Sequence, residues 1–390
     1  MSASRHRRRS KRLFARGGAD QPSRRDAADP ARRGDPPLVL VDGRMARRRP
    51  TGLATYIGEL RHVLETRPAP DLRIEWVYGP PGLPRRGRIT SVGNLVIDML
   101  WLHVMLPLIA LRRRASLVHA PVTWGPWWSP CPTVVTVHDL SWERVPSAFP
   151  ENFRRYARLF ARRSVRTAQR VIAVSESTAR DLRELYKVPD ALIRVVPNGV
   201  ERDLRPPATR EPFILCVGIM EPRKRIPLLA AAHARYWRDA PADPPRCRLV
   251  IVGGDGGDEP AVRAAAGPGC EIRGFVRREE LVDLYRRATL LVYPSVYEGF
   301  GIPVAEAMAH GCPVMCARNS SLVEIGGDAA IFVDEADINP EGLAAALTDA
   351  LSDRAALAER GEAGRELSER YSWPATATAT RDVYRQALGR

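Results

Sequence analysis

Lysine is almost absent from this chain. Of its 60 basic side chains only Lys11, Lys187 and Lys224 are lysines, and the rest are arginines. Beside 34 prolines, that skew reads as a GC-rich coding bias rather than a surface selected for nucleic acid. The charge distribution agrees. The first 36 residues carry 11 basic and 4 acidic side chains, +7 of the +15 total, so the remaining body is only mildly basic. Nucleic acid is therefore not expected as a partner. Cysteine is sparse too: Cys131, Cys216, Cys247, Cys270, Cys312 and Cys316 are scattered, as expected of reduced thiols in a cytoplasmic protein. Cys312 and Cys316 have no second Cys or His pair nearby, so no metal site is expected. The basic start, with Arg8-Arg9, is followed by no apolar run, so no export signal is expected. There is no G-x4-G-K-[ST] loop and no D-x-D, and without that loop Asp334-Glu335-Ala336-Asp337 reads as a strand end and turn.

What is present is a globular composition, 45% hydrophobic and 27% charged over 390 residues, long enough for two domains. Residues 1–36 have no periodicity and are expected to form a basic disordered tail. From Pro37 short apolar strands alternate with helical stretches: 38–41, 116–119, 133–138, 170–174 and 193–196, with helices through Tyr56, Leu60 and Leu64, over 152–169 and over 177–185. A charged, proline-rich linker follows Asn198-Gly199, and a second series starts: 213–217, 248–252, 271–275, 289–293, 314–317 and 330–333. The pattern predicts an α/β protein of two Rossmann-like, doubly wound parallel-sheet domains, residues 37–205 and 206–370, facing across a cleft. Residues 371–390, with Trp373, Tyr384 and Leu388, are expected to form a final helix packing back across both.

The segment 95–111, LVIDMLWLHVMLPLIAL, is apolar except for Asp98 and His103 and runs into Arg112, Arg113 and Arg114. With a proline inside, it makes a poor transmembrane span. It reads either as a buried crossover helix or as a helix lying on an anionic membrane with the arginines at headgroup level. In the second reading Trp101 and Leu102 are expected to carry the lipid contact.

Three constellations carry chemistry. In residues 292–314, VYPSVYEGFGIPVAEAMAHGCPV, a strand delivers a glycine-containing loop and a helix, and Glu298 and Glu306 form E-x7-E. Glycines admit close backbone approach, a helix amino terminus favours anions, and carboxylates accept from sugar or ribose hydroxyls. In residues 216–232 a strand ends at Val217-Gly218, and Arg223-Lys224 follow, a planar fork beside a point charge suited to a diphosphate. Solvated loops would explain either segment taken alone. In the first half, 51–56 reads TGLATY, and His138 closes a strand where it should face the cleft.

Together these segments resemble the retaining glycosyltransferases of family four, whose fold is GT-B. The resemblance spans about residues 37–390 through TGLATY, TVHDLSW (136–142), AVSESTARDL (173–182), VPNGV (196–200), VGIMEPRKR (217–225), GFV (274–276), YEGFGIPVAEAMAHGCPV (297–314), SSLVEIGGDAAIFVD (320–334) and YSWPATA (371–377). It implies that Arg223 and Lys224 bind the donor diphosphate, Glu298 contacts the donor sugar and Glu306 accepts from the ribose. The Phe300 and Gly301 amides would face the sugar, and His138 would sit beside the reacting carbon. Phe275-Val276 would flank the base, with Gly52 and Gly218 lining the cleft near the phosphates.

The resemblance further implies a metal-independent hexosyltransferase with no cofactor. Its co-substrate is a nucleoside-diphosphate sugar, GDP-mannose favoured because the EPRK segment is similar to bacterial mannosyltransferases of surface polysaccharide assembly. The acceptor would be a glycan or lipid-linked saccharide, handled in the cytoplasm or at the inner face of the plasma membrane. Ala54, Arg225 and Val323 depart from the usual Gly, Asn and Pro. A competing expectation is a basic nucleic-acid- or lipid-binding protein on a catalytically inactive GT-B scaffold.

Overall fold

A computed structural model describes residues 35–47, 52–83, 88–203, 205, 208–240 and 246–390. The expected basic tail lies outside these residues except for Asp35 and Pro36. Among these described residues twelve strands form two sheets, every neighbouring pair parallel. The first half supplies β1 (Leu38–Asp42), β2 (Arg73–Val77), β3 (Leu117–Ala120), β4 (Thr133–Val137), β5 (Arg170–Ala173) and β6 (Ile193–Val195). The second supplies β7 (Glu211–Val217), β8 (Arg248–Val252), β9 (Cys270–Gly274), β10 (Ala288–Tyr293), β11 (Val314–Ala317) and β12 (Ile331–Val333). The orders are β2-β1-β3-β4-β5-β6 and β12-β11-β10-β7-β8-β9.

The central strands are buried on both faces because helices cover both sides, so their sequences are continuous apolar runs. The strand missing from the sequence reading is β2. It is an edge strand, RIEWV, with Arg73 and Glu75 toward solvent between the inward-packed Ile74, Trp76 and Val77, so it shows no such run.

Strand order decides where a ligand can sit. In the second sheet β7 lies between β8 and β10, so the chain leaves β7 to one side and β10 to the other. That reversal opens a crevice at the carboxyl ends of β7 and β10, where open α/β sheets bind ligands. The first sheet has the same reversal at β1 and β3. The chain crosses from the second half to the first at residues 371–373. Tyr371 packs edge-on to Phe300 in the second core, whereas Trp373 and Ala377 pack with Tyr56 in the first. The final helix, Trp373–Ala387, then runs on the first domain, where the Tyr384 hydroxyl lies 2.7 Å from His119 Nδ1.

The apolar segment 95–111 belongs to one continuous helical stretch, Arg88–Arg112, whose middle turn, Trp101–Met105, is π-helical. Neither sequence expectation fits it whole. Trp101 (4% exposed), Leu102, Leu106 and Ala110 are buried against Leu38, Leu40, Val77 and Val118 of the sheet, and the Trp101 indole donates to Asp42 at 3.0 Å. The expectation that Trp101 and Leu102 face lipid is therefore wrong, since they anchor the helix to the domain. The opposite face, including Val96 and Leu100, is exposed, so the helix is not a wholly buried crossover either.

Candidate active site

A cavity of about 730 Å³ lies between the domains. All of the candidate residues line it: Gly52 and His138 from the first domain, and Gly218, Arg223, Lys224, Phe275, Val276, Glu298, Phe300, Gly301 and Glu306 from the second.

The charge centre sits at the β7/β10 crevice. After Val217 the chain makes a short 3-10 turn, Pro222–Lys224, that returns both cations toward β10. Glu298 meets them: its Oε1 accepts from Lys224 Nζ at 2.5 Å, Arg223 Nη1 at 3.0 Å, Ser295 Oγ at 2.6 Å and Tyr293 OH at 3.1 Å. Lys224 and Glu298 are both buried. Burial alone would raise the Glu298 carboxyl, but the adjacent Lys224 and Arg223 override it and hold it at about 2. Burial draws the Lys224 ammonium below its ordinary value, and Glu298 works against that. The Arg223 guanidinium, desolvated but flanked by Glu298 and Glu221, stays above its ordinary value.

Glu306 projects from the helix Ile302–Ala309, whose amino end is set by Gly301 at φ 89°, a left-handed conformation that suits glycine. Its Oε1 accepts from Arg278 at 2.5 Å and its Oε2 from the Tyr285 hydroxyl at 3.0 Å. Sequence reasoning missed Arg278 and Tyr285, because both pair with Glu306 across more than twenty residues. Tyr293 and Ser295 stood in the quoted 292–314 segment beside Glu298, and only the fold shows them bonded to its carboxylate.

Across the cavity, His138 follows β4. Its Nε2 lies 3.0 Å from the Pro121 carbonyl and its ring stands edge-on to Tyr56 at 4.6 Å. Burial pushes its pKa below the ordinary value, so the imidazole is neutral near pH 7, with the Nε2 proton donated to Pro121. Phe275 is 66% exposed and flat against Gly254, where any side chain would collide with the ring. Gly52 begins the helix Gly52–Thr66 and faces Ile302 across the gap.

The departures from the usual pattern fall outside this centre. Arg225 adopts φ 53° and turns its guanidinium to Glu335. Val323 is exposed, and the neighbouring Glu324 accepts from the Glu176 and Ser177 amides at 3.0 and 3.4 Å, docking on the amino end of a first-domain helix, Glu176–Tyr186. Among the described residues no group of three His, Cys, Asp or Glu side chains is placed to hold a metal ion.

Two doubly wound parallel-sheet domains facing across a cleft are the architecture of the GT-B class. The architecture matches sucrose-phosphate synthase from Thermosynechococcus elongatus with a TM-score of 0.71 at 20% identity, over 91% of this chain and 99% of that one. Residues 52–204 match the family model described as Glycosyltransferase Family 4, and residues 211–353 that described as Glycosyl transferases group 1. The chain belongs to this glycosyltransferase family. It is 29% identical to the O-antigen chain mannosyltransferase B of Escherichia coli over 65% of this chain and 70% of that protein. It is 31% identical to a D-inositol 3-phosphate glycosyltransferase of Kineococcus radiotolerans over 57% of this chain, which spans a little over half, 58%, of that relative.

Proposed function

We propose that the protein is a retaining hexosyltransferase that moves mannose from GDP-mannose to a glycan or lipid-linked saccharide. The observation that carries this reading is the convergence of Arg223, Lys224 and Glu298 in one buried cluster at the β7/β10 crevice. Arg223 and Lys224 take the diphosphate, whose negative charge grows as the bond from sugar carbon to phosphate oxygen breaks. The amino end of Ile302–Ala309 adds its dipole. All four hydrogen bonds to Glu298 end on Oε1, so Oε2 remains to accept from a sugar hydroxyl.

Each Glu306 oxygen keeps a second lone pair for the ribose hydroxyls while Arg278 and Tyr285 hold the carboxylate still. The Phe300 and Gly301 amides face the sugar, His138 sits beside its reacting carbon, and Phe275-Val276 flank the base. The acceptor hydroxyl attacks on the face the diphosphate leaves, and the departing phosphate oxygen takes its proton, which retains configuration.

Mannose is favoured over other hexoses by the likeness to the O-antigen mannosyltransferase. The cysteines, all unpaired, support a reducing, cytoplasmic setting. Thermal-shift measurements with GDP, UDP and ADP and their sugars test the donor. GDP and GDP-mannose should raise the unfolding midpoint, and the transfer product should show a retained anomer by NMR. Stabilisation by none of the nucleoside diphosphates would sink the reading.

A further inference from the structure

Among the described residues thirteen large apolar side chains are exposed, and eight of them lie between Val92 and Leu111. Such clustering is not the scatter expected of an ordinary soluble surface. Val92, Val96, Leu100, Val104, Leu108 and Leu111 form its spine. On a straight α-helix a spacing of four carries a stripe round by about 40° per step. The π turn at Trp101–Met105 advances less per residue and takes back much of that drift, so the spine stays on one side.

Pro107 has no N–H to give the carbonyl four residues back, that of His103, and the exposed Trp128 supplies a donor instead, its Nε1 3.0 Å from the His103 oxygen. That bond fixes an indole beside the stripe, with its polar edge satisfied and its ring available to a half-wet boundary.

By length and composition Val92–Arg112 could cross a bilayer. Its other face is built into the core through Trp101, Leu102, Leu106 and Ala110, so it cannot leave the domain to do so. Arg112, Arg113 and Arg114 close the stripe at the surface; Arg113 is held by Glu75, and among the described residues neither Arg112 nor Arg114 has a carboxylate partner. An apolar band ended by unneutralised arginines matches an anionic lipid surface better than a second copy of the same face, which would have to bring the arginines together.

We infer that the exposed face of Val92–Leu111, with Trp128 and Arg112–Arg114, docks the protein in the plane of an anionic membrane. The same helix reaches the active-site cavity, because Asp98 lines it. If the transferase reading holds, the docked helix sets the cavity against the lipid surface and makes a lipid-linked acceptor the one within reach.

Flotation of the full chain with phosphatidylcholine vesicles containing about one-third phosphatidylglycerol tests the docking. The wild type should float, less at high salt but still measurably, since the apolar part is unscreened. A Val96→Glu, Leu100→Glu, Leu108→Glu variant should lose binding by about tenfold or more while keeping its circular dichroism spectrum, because these side chains are exposed. An Arg112→Ser, Arg114→Ser variant should lose binding only on the anionic vesicles. Calorimetry with GDP should be unchanged in both variants, which separates a failed docking face from a failed donor site. The inference is overturned if the wild type does not float, if the folded triple variant floats equally well, or if sedimentation shows this face pairing two copies of the chain without vesicle binding.

Discussion

The carbonyl oxygen of His138 in the first domain and the α-carbon of Gly299 in the second are pressed together across the cleft. A methyl group added at Gly299 would stand 1.7 Å from that oxygen, and 2.7 Å from the Asp139 side chain. The contact is locked on its other side, where the Gly299 carbonyl accepts from Ser175 Oγ at 2.6 Å and from Thr178 Oγ1 at 3.2 Å. Nearby, the Tyr297 hydroxyl donates to Asp181 Oδ2 at 2.5 Å. Only a glycine lets the loop carrying Glu298 come this close to the strand end carrying His138.

Gly299→Ala should therefore hold the domains apart without disturbing either sheet. We expect GDP affinity to stay within about twofold while kcat falls on the order of a hundredfold, the scale of a misplacement near 1 Å. Calorimetry and steady-state kinetics on one preparation check this. Unchanged turnover would show that this approach is not needed in the reacting state.

Glu298 also makes a pH forecast. Its folded pKa of about 2 lies below the ordinary 4.5, so its ion pairs contribute stability that is fully present above the ordinary value and lost as pH falls from there through the folded value. The contribution is on the order of 3 kcal/mol at neutrality. Urea midpoints for wild type and Glu298→Gln should differ most above pH 5 and converge toward pH 2. A gap independent of pH would mean the pairing is not what the substitution removes.

On the proposed reading, substitutions in the cluster should separate binding of the diphosphate from transfer of the sugar. Arg223→Ala and Lys224→Ala should each weaken GDP binding by roughly 1.5 to 3 kcal/mol, the range for hydrogen bonds to charged groups. Glu298→Gln should behave differently, because the carboxylate competes with the diphosphate for the same two cations. GDP should bind this variant at least as tightly, while kcat/KM for GDP-mannose should fall by about tenfold or more as the sugar loses a charged acceptor. Equal losses of GDP affinity in all three variants would contradict that division of labour.

Both sheets, and eleven of their twelve strands, were legible in the sequence: the central strands because doubly buried strands must be apolar throughout, and the edge strands β6, β9 and β12 from short apolar stretches, whereas β2 sets Arg73 and Glu75 between its apolar residues and escaped. The residues named from motifs came together in one cavity because the loops after β7 and β10 are short and their strands adjacent. Pairings such as Arg278 with Glu306 leave no local trace, since the helix bearing Arg278 reads as an ordinary charged one. The facing of Val92–Leu111 was illegible for another reason. Its apolar residues surround the helix, and only the π turn and the sheet beneath it decide that Trp101 goes in and Leu100, 55% exposed, stays out.

A departing diphosphate gathers negative charge that a cation must offset. Arg223 and Lys224 supply two positive charges at one buried point, and the helix that begins after Gly301 adds its amino-terminal dipole. Near neutrality the two cations are matched by two carboxylates, Glu298 through Oε1 and Glu221 at 2.7 Å from Arg223, so the diphosphate takes over contacts that these carboxylates now hold. With two cations and the helix dipole at the diphosphate site, turnover should survive EDTA, with less than about a twofold change in kcat, and added magnesium should compete by chelating the nucleotide rather than activate. Rates measured in metal-free buffer, with EDTA and with graded magnesium check it. Loss of activity on chelation, restored by magnesium or manganese, would mean that the two side chains do not suffice to carry the leaving charge.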